Sequence, residues 1–388
     1  MLIGIDCRLW NQTGVGRYIR NLVLNLTLID KKNDYVLFAS SEDYDNLKSQ
    51  ISPARNVSAS VAGGSSKWRL IKTDIRWHTV SEQIKFASVL NSYNFDLVHF
   101  PYFSVPVFYR KNYVVTVHDL ITNKFATGKA STLPYPVYLS KRIAYKLVLR
   151  NALKKSKKII VPSGSVKNDL LSTYKKLDPN KIVVTYEGGF ENIIKNNRKS
   201  LIKEKYFLRV GNFYPHKNVQ TLLTAFKIFI EKSLDKNTKL VLVGKKDIFY
   251  KRIEDEIKNL DISQNVIILE QLRDEDLVCL YKNSIATIIP SFMEGFSLTA
   301  VEAMSLGSLV IASDIPVHRE ICKNGALFFN PNDSYELYEK LNEVLRLTTS
   351  EKKRIQQNEM DWIKKFSWKK MAEQTLQIYE SSASASSA

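Results

Sequence analysis

The sequence predicts an α/β protein built from two parallel-sheet domains, and three observations carry that expectation. Short apolar runs of strand length alternate with helical patterns along the chain, the order that builds a parallel sheet covered by helices. The alternation begins anew halfway along. Between the halves lies GGFENIIKNNRKSLIKEK at 188–205, a polar stretch rich in Asn and Lys that reads as a linker and the lead-in to a strand. A chain of 388 residues has room for two such domains.

In the first half the strand-like runs fall at 2–5, 35–38, 97–100, 113–117, 158–161 and 182–186. In the second they fall at 206–210, 240–243, 266–269, 285–289 and 309–312, with amphipathic helices such as 219–231 and 336–347 between them. The boundary is placed near residue 195, giving domains 1–195 and 196–366, and a last helix is expected over 367–379, within the segment 367–380. The closing SSASASSA, 381–388, is of low complexity and is set aside as an appended tail.

Composition narrows the function. Hydrophobic residues make up 44% of the chain, ordinary for a globular protein, and no apolar run is long enough to span a bilayer. The opening MLIGIDCRLW reads as a strand and not as a signal peptide. A cytoplasmic location follows as the expectation. Cys7, Cys279 and Cys322 are far apart and form no metal-binding spacing, so they are read as buried thiols. The net charge of +18 is uneven: residues 1–190 carry 28 Lys and Arg against 13 Asp and Glu, whereas the remainder carries 29 against 26. Residues 141–158 hold eight positive charges and no acid, and 67–78, KWRLIKTDIRWH, is a second basic and aromatic stretch. Such patches attract anionic lipid, phosphorylated ligands or nucleic acid, and a solvated helix face is the plain alternative. No nucleic-acid-binding motif accompanies them, so a nucleic-acid partner is not expected.

In an open α/β sheet, ligands bind beyond the carboxyl ends of the strands. The informative residues should therefore follow strands. Glu294-Gly-Phe-Ser-Leu-Thr-Ala-Val-Glu302 follows the run 285–289. Gly295 lets the backbone approach a ligand, and a helix beginning near Ser297 offers free amides to phosphate. Both acids can accept hydrogen bonds from sugar hydroxyls. A capping box, Thr299 to Glu302, explains Glu302 equally well, and a surface loop acid explains Glu294.

Lys217, in Val210-Gly-Asn-Phe-Tyr-Pro-His-Lys-Asn218, follows the first strand of the second half. A cation there would stabilise a departing phosphate, most strongly in a closed, dry site. Gly14-Val-Gly-Arg17 follows the first strand of the chain, ahead of a helix over 18–26, and reads as a phosphate loop or a tight turn. His118, with Asp119 after it, follows the run 113–117, and His99 lies near another strand end where it could line an acceptor surface. A lone histidine is usually structural. Asp43-Tyr-Asp45 and Asp274-Glu-Asp276 stand where helices begin, where acids suit the helix dipole, and are not read as metal sites.

Taken together, E-G-F-S-L-T-A-V-E-A-M and the layout of nearly the whole chain resemble the retaining GT-B glycosyltransferases of family 4. The resemblance implies two Rossmann-like domains facing across a cleft, with the last helix crossing back to the first. It implies that Glu294 contacts the transferred sugar, that Glu302 binds the ribose, and that Gly295, Phe296, Ser297, Leu298 and Thr299 hold sugar and diphosphate. Lys217 becomes the phosphate lysine, His118 faces the transferred sugar, and Gly14 and Gly16 contribute the first domain's glycine loop. Arg17, His99 and Asp119 fall on the acceptor side. The family often carries Arg directly after the loop glycine, where this chain has Asn212, which leaves diphosphate binding to Lys217 alone or to an Arg elsewhere.

The Tyr-Pro-His-Lys-Asn and Val-Thr-Tyr-Glu-Gly segments look most like bacterial mannosyltransferases, which implies GDP-mannose as donor, with a UDP-sugar as the alternative. The implied acceptor is a saccharide or lipid-linked saccharide of a surface polysaccharide, with no metal or other cofactor. Peripheral contact with anionic membrane is expected from the basic stretches and from Trp68, Trp77, Tyr135 and Tyr138. A sugar-nucleotide epimerase or a phosphorylase of the same fold is the competing enzyme class.

Overall fold

The computed structural model describes residues 1–51, 57–58, 67–124, 135–190, 201–233, 235–270 and 272–384. Two compact units are present. One comprises Met1–Asn123, Ser131–Glu187 and Trp368–Ala388, and the other is essentially Gly188–Ser367. The chain passes from one to the other after Glu187. The boundary expected near residue 195 lies outside the described residues.

The first unit carries β1 (Leu2–Asp6), β2 (Asp34–Ala39), β3 (Val57–Ser58), β4 (Trp68–Lys72), β5 (Leu97–Phe100), β6 (Tyr113–Thr116), β7 (Lys158–Val161) and β8 (Ile182–Val184). The second carries β9 (Tyr206–Val210), β10 (Lys239–Val243), β11 (Val266–Leu269), β12 (Thr287–Ile289), β13 (Val310–Ser313) and β14 (Ala326–Phe329). The orders are β3-β4-β2-β1-β5-β6-β7-β8 and β11-β10-β9-β12-β13-β14, with parallel pairings such as β1 with β5 and β9 with β10. Each sheet starts in its middle, grows to one edge, then crosses back and grows to the other. The direction reverses between β1 and β5 and between β9 and β12. Such reversal points open a crevice at the carboxyl ends of the strands.

The strands are apolar runs because both sheet faces are covered. In β6 all four residues, Tyr113 to Thr116, are buried. The covering helices show the expected stripes: Gly14–Ile29 buries Tyr18, Ile19, Leu22, Val23 and Leu26, spaced to fall on one face. In the second unit Leu222, Leu223, Phe226 and Phe229 of the helix Val219–Lys232 join Phe207, Leu240 and Ile288 in one core.

Two strands of four or more residues were not foreseen. β14, Ala-Leu-Phe-Phe, is a short apolar run that periodicity cannot distinguish from a piece of helix. β4 lies inside the basic stretch 67–78, where Arg69 and the strand-end Lys72 obscure the alternation that buries Trp68 and Leu70. Trp68 is accordingly a core residue, 1% exposed and stacked on Tyr35 with ring centroids 4.1 Å apart, and it is removed from any lipid-facing surface.

The C-terminal helix, Trp368–Ser384, packs on Gly14–Ile29 in the first unit. It continues into the segment set aside as a tail, where Ser382 is buried. The helix is pinned by a buried polar chain. Tyr379 Oη lies 2.6 Å from His99 Nδ1, His99 Nε2 lies 2.8 Å from Thr116 Oγ1, and Tyr18 Oη lies 3.1 Å from the same Thr116 oxygen. Tyr379→Ala leaves a cavity and an unpaired nitrogen on His99, so it should cost about 3–5 kcal/mol of stability. Tyr379→Phe removes only the hydroxyl and should cost about 1–3 kcal/mol. Urea unfolding of both variants checks the order.

Candidate functional site

The reversal point of the second sheet sets β9 beside β12, with Leu208 opposite Thr287. The loops leaving these strands are therefore neighbours. The β9 loop opens at Gly211, whose φ of +127° strains any residue with a side chain. It makes a single 3-10 turn, Pro215–Lys217, and ends at Asn218 in the left-handed region, φ 54°. The β12 loop runs through Pro290, Ser291 and Glu294 to Ser297. Three hydrogen bonds join them to each other and to the chain beyond. The Asn218 amide donates to Pro290 O at 2.9 Å and Pro331 O at 2.7 Å, and Phe292 N donates to His216 O at 2.8 Å.

This stitching brings Lys217 to Glu294. Lys217 Nζ donates to both carboxylate oxygens, at 2.7 and 2.8 Å, and Ser291 Oγ donates to Oε1 at 2.7 Å. Burial works against a charge on Glu294, but the Lys217 charge and these bonds outweigh it and hold the carboxyl at about 2 instead of 4.5. The two residues expected to meet the transferred sugar and its phosphate thus form one partly buried ion pair.

Beyond Glu294 the chain enters the helix Leu298–Ser305 through Ser297, φ 68°. The Ser297 hydroxyl is buried without a hydrogen-bond partner, and among the described residues no acceptor takes the amides of Leu298 and Thr299. This is the arrangement that binds anions at a helix start. Because the helix begins at Leu298, Thr299 is not its cap and the capping box does not form. Glu302 is buried and accepts from Tyr281 Oη at 3.0 Å. Phe296 is a core residue in edge contact with Phe366.

The first-unit residues divide. The helix begins at Gly14, not at residue 18. Gly16 is explained by packing, since a Cβ there would sit 2.4 Å from Trp10 O, whereas Gly14 faces open space. Arg17 is half-buried in the first turns of that helix. His118 is held by Pro101 O, 2.9 Å from Nε2, with Glu187 Oε1 3.4 Å from Nδ1 and Tyr18 edge-on at 4.9 Å. Asp119 accepts from Ile121 N at 2.8 Å, as the start of a short helix requires. His99 corrects the expectation of an acceptor-lining residue: it is 0% exposed with both ring nitrogens in the core chain, and burial, aided by His118, lowers its pKa to about 3.

Both Asp-x-Asp segments stand at helix starts, and Asp43 binds Asn11 while Asp276 binds Arg273. The three cysteines are buried. Among the described residues no helix is long and apolar enough to cross a membrane.

Several residues of the site escaped sequence reasoning. Asn218, Tyr281 and Glu187 act through partners distant in sequence, and only the fold joins them, whereas Ser291 reaches Glu294 within its own loop. Arg209 did leave a signal, a lone charge in the strand Tyr-Phe-Leu-Arg-Val directly before the loop glycine.

The ion pair fixes a pH dependence. Glu294 has a depressed folded pKa, so the pair's stabilisation is fully present above pH 4.5 and is lost as pH falls towards 2. A shift of that size is worth about 3 kcal/mol. Lys217→Met removes the largest influence opposing burial, and the Glu294 carboxyl should then titrate well above its value in the wild type. Carbon-detected titration of the side-chain carboxyl reads this directly, and a value still near 2 in the variant would refute the account.

A glycosyl transferases group 1 model matches residues 190–361, and a glycosyltransferase family 4 model matches residues 13–188. The chain is 28% identical over 257 residues to the O-antigen chain mannosyltransferase RfbU of Salmonella typhimurium, covering 66% of this chain and 67% of that one. It is 25% identical over 390 residues to the O-antigen chain mannosyltransferase B of Escherichia coli, covering 95% and 96%. Among solved structures, the sucrose-phosphate synthase of Thermosynechococcus elongatus matches with a TM-score of 0.75 at 19% identity, over 99% of this chain and 100% of that one. With two Rossmann-like parallel sheets, and family matches that adjoin at residues 188 and 190, the chain belongs to the family 4 glycosyltransferases of GT-B fold.

Proposed function

We propose that this glycosyltransferase moves mannose from GDP-mannose, with retention of configuration, to a saccharide or lipid-linked saccharide in surface polysaccharide synthesis. The observation that carries the reading is the Lys217–Glu294 pair beside unclaimed backbone amides at the β9/β12 reversal point. The mannosyltransferase relatives support the choice of sugar.

In this reading the second unit binds the donor and the basic first unit the acceptor. Glu294 accepts from hydroxyls of the transferred sugar, and Glu302 from the ribose. Lys217 and the amides from Gly295 to Thr299 meet the diphosphate. The sugar–phosphate C–O bond breaks as the acceptor hydroxyl bonds to the same face of that carbon. The hydroxyl proton passes to the leaving phosphate. Charge growing on that phosphate is met by Lys217 and the amides, an electrostatic stabilisation placed where the charge develops. His118 stands beside the transferred sugar, its ring held by Pro101 and Glu187. The reaction is proposed to need no divalent cation, so activity should survive EDTA.

Glu294→Ala and Lys217→Ala should each lower turnover by about 100-fold or more while leaving the fold intact. Near-normal rates in both would overturn the reading. A thermal-shift screen against GDP, UDP, GDP-mannose and UDP-sugars names the nucleotide. Stabilisation by UDP alone would replace GDP-mannose with a UDP-sugar, and conversion of donor without acceptor would mark an epimerase.

The same reading sets the enzyme against an anionic membrane. In the helix Tyr135–Lys155, Tyr135, Leu139, Ile143 and Leu147 recur every fourth residue, and all are exposed, from 43% to 73%. Lys146, Arg150 and Lys154 are exposed beside them. An apolar row among basic residues is the pattern of an interfacial helix. Flotation with phosphatidylglycerol vesicles at low salt should carry the protein up. The triple variant Leu139→Gln, Ile143→Gln, Leu147→Gln should remain behind, and equal flotation of both would argue against membrane contact.

A further inference from the structure

Arg209 lies in β9, is 2% exposed, and has no role in the reading above. Its guanidinium lies under the β9 loop: Nη1 donates to Gly211 O, Nη2 donates to Asn212 O, and the group stacks on the Phe213 ring at 5.2 Å. Among the described residues no carboxylate forms an ion pair with it. Burial lowers its pKa to about 10, with Glu294 pulling the other way, so it remains charged at neutral pH.

The bonds to the two carbonyls decide where the loop's amides point. The described peptides are all trans, so each N–H points opposite to the C=O of its own peptide group. The Gly211 carbonyl shares a peptide with the Asn212 amide, and the Asn212 carbonyl with the Phe213 amide. Two successive amides therefore turn away from the buried guanidinium. Neither has an acceptor among the described residues. Gly244 makes the packing possible, because a Cβ there would lie 2.5 Å from the Phe213 ring and 2.7 Å from Gly211 O. Successive amides facing one way form an anion-binding concavity, and a buried cation behind them strengthens it.

We propose that Arg209 is a positioning residue for the donor diphosphate: by binding two loop carbonyls it presents the amides of Asn212 and Phe213 as a phosphate cradle. The cradle takes the place of the basic side chain that related sequences often carry where this chain has Asn212. The inference rests on the nucleotide-sugar reading of the same site.

Calorimetric titration of the full chain with GDP, GMP, UDP and UMP tests it, on wild type, Arg209→Met and Arg209→Lys. Wild type should prefer the diphosphate to its monophosphate. Arg209→Met should reduce that preference by about tenfold or more, as the loss of ion-supported hydrogen bonds would. Arg209→Lys should restore only part of it, because an ammonium does not bridge two carbonyls as a planar guanidinium does. In wild type the Asn212 and Phe213 amide signals should shift in nitrogen–proton spectra as GDP or UDP is added. A folded Arg209→Met that keeps the wild-type ratio overturns the proposal while leaving the donor reading intact. So do amides that ignore a nucleoside diphosphate the wild type binds, a readout that also decides the matter if the methionine variant does not fold. A wild type without affinity for either diphosphate overturns both.

Discussion

The reversal of strand order between β9 and β12 is the constraint on which the candidate site depends. It sets two loops from distant parts of the chain side by side at the carboxyl edge of one sheet. Without it, Lys217 and Glu294, separated by 77 positions, would not meet. The pair is costly to hold in a buried place, because each charge loses water. The Ser291 hydroxyl and the bidentate lysine contact offset that loss for Glu294. The backbone bonds from Asn218 and Phe292 keep the loops from separating and relieving it. A polar ligand can exchange partners with such a pair, whereas an apolar substitute of equal volume would offer it nothing.

Much of this was legible in the sequence, for a physical reason. Strand-length apolar runs and glycines at strand ends are local signals, and a parallel sheet needs both in order. The second half was read nearly strand for strand because its strands are runs of mostly apolar residues. β4 alternates, and its half-buried Arg69 and exposed Lys72 made a half-buried strand look like a basic surface stretch. The same reasoning credited Trp68 to the surface, where only the pairing with Tyr35 reveals a core residue. His99 sits in the last residues of a strand, as a ligand-binding residue would, but its direction is set by Thr116 and Tyr379. Tyr379 is 280 positions away, in a helix that packs against Gly14–Ile29.

The glycines show how far a motif can be taken without coordinates. Gly14 and Gly16 looked equivalent in a phosphate loop. Gly16 is required by the carbonyls of Leu9 and Trp10, and Gly14 alone leaves open space for something else. In the second unit Gly211 is required by its backbone angle and Gly244 by the ring of Phe213. Gly244 stands in a segment that resembles no nucleotide-binding motif, yet it shapes the loop that does the binding in the proposed reading.

Charge distribution leads to a related conclusion. The second half of the chain is close to neutral, with 29 basic and 26 acidic residues from 191 onward. The two cations assigned to the proposed donor site are not free: Lys217 is held by Glu294 and Arg209 by loop carbonyls. Long-range attraction by net charge is thus weak on this unit, and an anion gains most from dipoles already oriented. Backbone amides cost little to orient when the fold has done so beforehand, and they do not repel a neutral sugar as unpaired lysines would attract stray anions. The basic excess lies instead in the first half, much of it on the exposed side of Tyr135–Lys155, where a broad surface is better served by many weak charges than by a few fixed ones. In the proposed reading the two halves therefore handle negative charge by different physics, short-range and directional in one, diffuse and salt-sensitive in the other.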